Sequence, residues 1–159
     1  MEEMLELKQC LLNHKYEQAL LIVEELEEMG RQDKINNLES FFVILLIDLI
    51  KIQVENKVTR SWKASIANSL IAIQKRNKLG KKSNYINQDE WLQHILDCQV
   101  EALLAASKEI FEGIDYQQLK KIINFEEITK ICNELLAYTY TLDKQEIIEI
   151  INQKFPFEY

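Results

Sequence analysis

A chain of 159 residues, 47% hydrophobic and 28% charged, fits one globular domain that buries its core without a disulfide or metal staple. Three glycines and one proline exclude folds that need many tight turns and leave long helices. A net charge of −7 argues against nucleic acid as a partner, and the longest apolar run, residues 41–47, falls far short of the roughly 20 residues that cross a bilayer.

The expected fold class is therefore all-α: an antiparallel bundle of three to four long helices with a smaller C-terminal helical cap, residues 1–159 forming a single domain. Eight helices are expected. The first covers about 3–12 and the second about 15–29, with Tyr16, Ala19, Leu20, Val23 and Leu26 on one face and glutamates on the other. The third, about 32–55, is the central helix; its unbroken apolar stretch Phe41 to Ile47 suggests protein on every side. The fourth, about 60–79, carries Trp62, Ile66, Leu70 and Ile73 at helical spacing, which predicts a largely buried Trp62. The fifth, about 87–112, presents Leu92, Ile95, Leu96, Leu103, Ala106 and Ile110. Three shorter helices follow at about 116–123, 125–140 and 143–154. Gly30, Gly80 and Gly113 sit where helix-ending left-handed residues belong. Asn87, Asp115, Asn124 and Asp143, each followed three positions later by Glu or Gln, read as capping boxes. The aromatic tail Phe155-Pro156-Phe157-Glu158-Tyr159 is expected to dock, on its own chain or on a second subunit, so monomer and homodimer both stand.

Charge is unevenly spread. Residues 1–40 hold ten acidic and four basic groups, 51–82 one acidic and nine basic, and 83–159 fourteen acidic and six basic. Internal pairing of the basic middle with the acidic flanks is the simpler expectation. The N-terminus is Glu-rich where a secretory signal needs positive charge. Cys10, Cys98 and Cys132 are odd in number and form no C-x-x-C, as expected for reduced core thiols of a cytoplasmic protein.

Little in the chain spells out chemistry. The two histidines give one weak half-site for a metal, Glu90 with His94, and a Cys98–His94 pair lacks a third group, so no catalytic residue, metal or cofactor is assigned. Asp48 interrupts Leu45-Leu46-Ile47 and Leu49-Ile50. It reads as the place where the helix's polar edge crosses, near solvent or paired with Lys51, or else as a buried partner of Arg60 or Lys63. Arg60-Ser61-Trp62 reads as a helix start capped by Thr59 or Ser61, with a recognition surface as the alternative. Arg31 suits a helix C-terminus. Lys78, Lys81 and Lys82, with Lys75 and Arg76, form the best nucleic-acid candidate, although interleaved aromatics are lacking.

Glu24-Glu25-Leu26-Glu27-Glu28-Met29-Gly30-Arg31 and, some thirty residues on, Arg60-Ser61-Trp62-Lys63-Ala64-Ser65-Ile66 resemble the signature of a bacterial helical family, domain of unknown function 29. The resemblance covers roughly 15–112 and implies a helical fold with no established activity. Where that family often has histidine in an L-x-H-L-x-K pattern, this chain keeps Leu46, Leu49 and Lys51 but has Asp48, which speaks against a histidine-dependent activity. The expected function is a non-enzymatic role through protein–protein contact, as adaptor or structural protein, with an unknown protein partner and no membrane. The alternatives are nucleic-acid binding through 75–82 and, more weakly, an enzyme with an unrecognised carboxylate site.

Overall fold

A computed structural model describes residues 2–155, and the tail beyond Phe155 lies outside the described residues. Among them the chain is all-α. Its helices are α1 (Glu2–Leu12), α2 (Tyr16–Glu55), α3 (Arg60–Arg76), α4 (Trp91–Asp97), α5 (Gln99–Ser107), α6 (Tyr116–Ile122), α7 (Phe125–Thr141) and α8 (Lys144–Lys154). A two-stranded antiparallel hairpin joins β1 (Lys78–Leu79) to β2 (Ser83–Asn84), with Lys78 opposite Asn84. The chain divides into two compact units, Met1–Asn36 and Asn37–Tyr159, and the residues of α2 are shared between them.

In the first unit α1 ends without glycine. His14 takes the left-handed conformation (φ 57°), its N–H donates to Leu11 O and the Lys15 N–H reaches back to Cys10 O, a Schellman closure. The His14 ring lies 2.8 Å from the Tyr16 hydroxyl. Ala19 is the one buried residue described in this unit, and α1 buries none. Gly30 does not close a helix. It lies inside α2, where an exposed glycine costs about 1 kcal/mol against alanine, and good helix formers on both sides carry the helix through.

The second unit holds the core. From α2 it takes Leu38, Phe42, Leu45, Leu46, Leu49 and Ile50, a stripe at three- and four-residue spacing. Ile44 is exposed, so this stretch is not enclosed on every side as its composition suggests. Asn56, at φ 51°, then ends α2 in the same left-handed way as His14. α3 offers Ile66, Leu70 and Ile73 and packs on α7 and α8, which bring Ile128, Cys132, Leu135 and Leu136, and Ile147 and Ile151. α3 ends at Asn77, and Gly80 (φ 69°) turns the hairpin rather than capping the helix. Asn77 clamps that hairpin. Its Oδ1 accepts from Ile86 N–H and its Nδ2 donates to Ile86 O, both at 2.8 Å. The Tyr140 hydroxyl donates to the same carbonyl at 2.7 Å and accepts from Trp91 Nε1 at 2.6 Å, joining the hairpin to α7 and α4.

The segment 87–112 is not one helix. It runs as a 3-10 turn, α4, α5 and a second 3-10 turn, with a kink at Cys98 (φ −91°, ψ 0°). The buried face is Trp91, Ile95, Cys98, Ala102, Leu103, Ala106 and Ile110, while Leu92 and Leu96 point outward. The segment ends in three consecutive positive-φ residues, Phe111, Glu112 and Gly113; at φ 120° Gly113 holds a conformation that side chains disfavour. All four expected Asx residues do start helices. Asn87 N–H donates to Glu90 Oε1, and Asp115, Asn124 and Asp143 accept from Gln117, Glu127 and Glu146 N–H.

Candidate functional site

Part of the second signature segment, Trp62 and Ser65, lies near Asp48 in the second unit, whereas the first segment, Glu24 to Arg31, belongs to the first unit. α2 supplies Asp48 and, one turn on, Lys51. The start of α3 supplies Trp62 and Ser65. Glu109 comes from the turn after α5. Thr59 fixes the start of α3 by accepting from Trp62 N–H at 3.1 Å. Ser65, one turn further along α3, lies close enough to the Asp48 carboxyl to lower its pKa.

Asp48 is 4% exposed, so the polar edge of α2 does not cross here. Its Oδ2 has no hydrogen-bond partner within the protein. Burial pushes its carboxyl up to about 6; the Ser65 hydrogen bond and the Lys51 charge pull it back down, and Glu109 adds to the rise. Lys51 does not pair with it directly. The Lys51 ammonium sits 2.7 Å from Glu109 Oε2 and 5.4 Å from the centre of the Trp62 ring. Lys57 approaches the same ring at 5.7 Å. Trp62 is therefore half-buried, not the largely buried anchor its spacing suggests: one face is taken up by cationic neighbours. Lys63 is buried beside it in sequence, and Arg60 is exposed.

Chemically this is a buried acid beside an ion pair between a largely buried Lys51 and an exposed Glu109, with a half-buried indole next to them. It joins α2, α3 and the turn after α5 in one register, which is the best-attested role of buried polar groups. Lys51 was expected as a partner of Asp48, whereas Ser65 and Glu109 were not singled out by sequence. Ser65 was legible as a signature position and Lys51 by its spacing from Asp48, but nothing local marks Glu109.

The other candidates lie apart. Arg31 is exposed in the first unit, and Lys78, Lys81 and Lys82 are exposed on the hairpin. His94 Nδ1 lies 2.8 Å from Glu39 Oε1, and Glu90 is engaged in its cap, so the two do not converge. Burial pushes the Cys98 thiol up to about 12, and burial likewise raises Cys132, which makes both poor nucleophiles. An open groove of about 850 Å³ runs between Gln74, Asn77, Lys78 and residues 139–146. Gln74 Nε2 already donates to the Thr139 and Leu142 carbonyls that face it. In the first unit a smaller groove of about 430 Å³ has Leu21 and Ile22 beside Glu6 and Glu25. Among the described residues no helix is long and apolar enough to cross a membrane.

A family model described as "Domain of unknown function DUF29" matches residues 6–111, a span that holds both signature segments and every residue of the Asp48 cluster. No curated protein and no solved structure matches the chain.

Proposed function

The chain belongs to the family described as domain of unknown function DUF29, and from that premise we propose that it acts as a non-enzymatic interaction protein through its helix faces. The observation that carries this reading is the N-terminal hairpin. α1 has no buried residue, and Leu5, Leu11, Leu12, Tyr16, Leu20 and Leu21 are all exposed. A helical pair of this size cannot hold itself together on one buried alanine, since helices gain most of their stability from packing an apolar face. Scattered single leucines on a surface are ordinary; this many along two adjacent helices mark an interaction site. Within the second unit, the Asp48 carboxyl is buried rather than presented at the surface.

Co-purification from the native cell tests the reading, comparing the chain with a Leu12→Ser/Leu20→Ser variant. Both positions are exposed, so the variant should melt as the parent does while losing a stoichiometric protein partner. Equal capture by the two would overturn the role given to this face.

Exposed Lys75, Arg76, Lys78, Lys81 and Lys82 favour a second reading, nucleic-acid binding at the hairpin. Sub-micromolar binding of DNA or RNA with a steep salt slope, lost on Lys78→Gln/Lys81→Gln/Lys82→Gln, would put that reading first.

A further inference from the structure

The pair formed by α1 and the start of α2, the N-terminal helical hairpin, also carries information about what covers it. Leu5 and Leu12, two turns apart on α1, are 60% and 78% exposed, and Leu20 and Leu21 on α2 are 58% and 60% exposed. Carboxylates outnumber basic groups in the same segment. Residues 1–36 hold nine acidic and four basic side chains, and Glu2, Glu6, Glu17, Glu24, Glu25, Glu27 and Glu28 are all exposed. The groove is lined by Glu6 of α1 and by Leu21, Ile22 and Glu25 of α2, with Lys15 from the turn between them also in its lining. An occupant must therefore bring apolar side chains to the leucines and positive charge to the rim.

Three sources can be compared on charge. A second copy apposed hairpin to hairpin would set nine carboxylates against nine, which costs free energy rather than gaining it. The chain's own basic hairpin offers Lys78, Lys81 and Lys82 but only Leu79 as an exposed large apolar residue beside them, too little to cover this face. An anionic lipid surface would be repelled. What remains is a helix with leucine-type residues on one face and Lys or Arg along its borders, laid along the exposed leucines of α1 and the start of α2 as amphipathic helices are.

We propose that the N-terminal hairpin is the docking face for a basic amphipathic helix of another protein. The proposal rests on the interaction reading above and adds the chemistry of the partner.

The test uses the full chain and two synthetic probes of about 18 residues, one built from Leu and Lys at helical spacing and one from Leu and Glu. Binding is titrated at about 0.15 M salt. The Leu/Lys helix should bind one to one and the Leu/Glu helix at least about tenfold more weakly. Leu12→Ser/Leu20→Ser should weaken the Leu/Lys helix about tenfold, and Glu6→Gln/Glu25→Gln severalfold. Glu126→Gln/Glu149→Gln, which removes the same charge from exposed positions of the second unit, should leave binding unchanged. If that control weakens binding as much, the attraction is unspecific and the proposal fails. If the Leu/Glu helix binds equally well, or the chain dimerises through the leucines, the partner chemistry is wrong while the interaction reading survives. If neither probe binds and no self-association occurs, both fall.

Discussion

α1 and α7 are both amphipathic by sequence, yet they end up in opposite circumstances. α7 closes Ile128, Cys132, Leu135 and Leu136 against α3 and α4, whereas α1 leaves Leu5, Leu11 and Leu12 in water. The same contrast holds between the units that contain them: Ala19 is the one buried residue described before Asn37, and every other buried apolar side chain lies between Leu38 and Phe155. Periodicity tells that a helix has an apolar face. It does not tell whether the same chain covers that face, because covering is decided by segments far away in sequence.

The sharpest way to break this contrast is hydrogen exchange. Amides of α1 should exchange through local opening costing about 0–2 kcal/mol, and those of α7 near Leu135 only through global unfolding, about 5 kcal/mol or more. Protection in α1 equal to that in α7 would mean that the first unit is as firmly built as the second, and the argument for an absent partner would collapse.

The two tryptophans give the next largest effect. Trp91 is fully buried, packs on Phe42 with ring centres 5.2 Å apart and donates to the Tyr140 hydroxyl. Trp91→Ala should cost about 3–5 kcal/mol. Trp62→Ala, which loses a half-buried ring and two cationic contacts, should cost about 1–2 kcal/mol. Urea titrations of the two variants would decide it, and the reverse order would show that the signature tryptophan, not Trp91, anchors the core.

Why Trp62 stands out in sequence and Trp91 does not is instructive. Helix class, the four Asx starts and most core faces were legible, because capping and periodicity are local. Two kinds of feature were not. Glycine is the residue that marks a left-handed position in sequence, but His14 and Asn56 fill two of them, at a modest local cost. In the segment broken at Cys98, Ile95 is buried as expected, but Trp91 takes the place of Leu92 and Leu96, which are exposed. At the candidate site Asp48 and Trp62 were visible, one as a charge among apolar residues and the other as part of a signature. Glu109, which pairs with Lys51 beside them, is some sixty residues away from Asp48 in sequence, and no local pattern reports such a contact.

Asp48 supplies a pH-dependent comparison. Its carboxyl sits near 6 in the folded chain and near 4 when unfolded, so the folded state holds the proton more tightly. The stability this adds is complete below about pH 4 and is lost as pH rises to about 6. Asp48→Asn keeps an acceptor for Ser65 and removes the charge. The variant should match the parent near pH 4 and exceed it by on the order of 1–2 kcal/mol at pH 7, after allowance for screening. Denaturation across that range checks it. A constant difference between the two proteins would show that Asp48 stays ionised and is satisfied by groups other than Ser65.

The smallest effect separates the two units through a single hydrogen atom replaced by a methyl group. Gly30 lies within α2, has nothing within 4 Å of where its Cβ would stand, and is not among the glycines with positive φ. Alanine there adds no clash and lowers the backbone freedom of the unfolded chain, so Gly30→Ala should favour the helix by about 0.5–1 kcal/mol. The sign is the point. Had Gly30 closed a helix in the left-handed conformation, the same change would destabilise by about 1 kcal/mol. Circular dichroism melts and the exchange rates of amides near Gly30 read that sign directly. Slower exchange confined to this stretch of α2, with the melting of the second unit unchanged, would confirm a continuous helix through a weakly held region. Destabilisation would mean that the helix breaks at Gly30 and that the N-terminal segment is a separate pair of short helices.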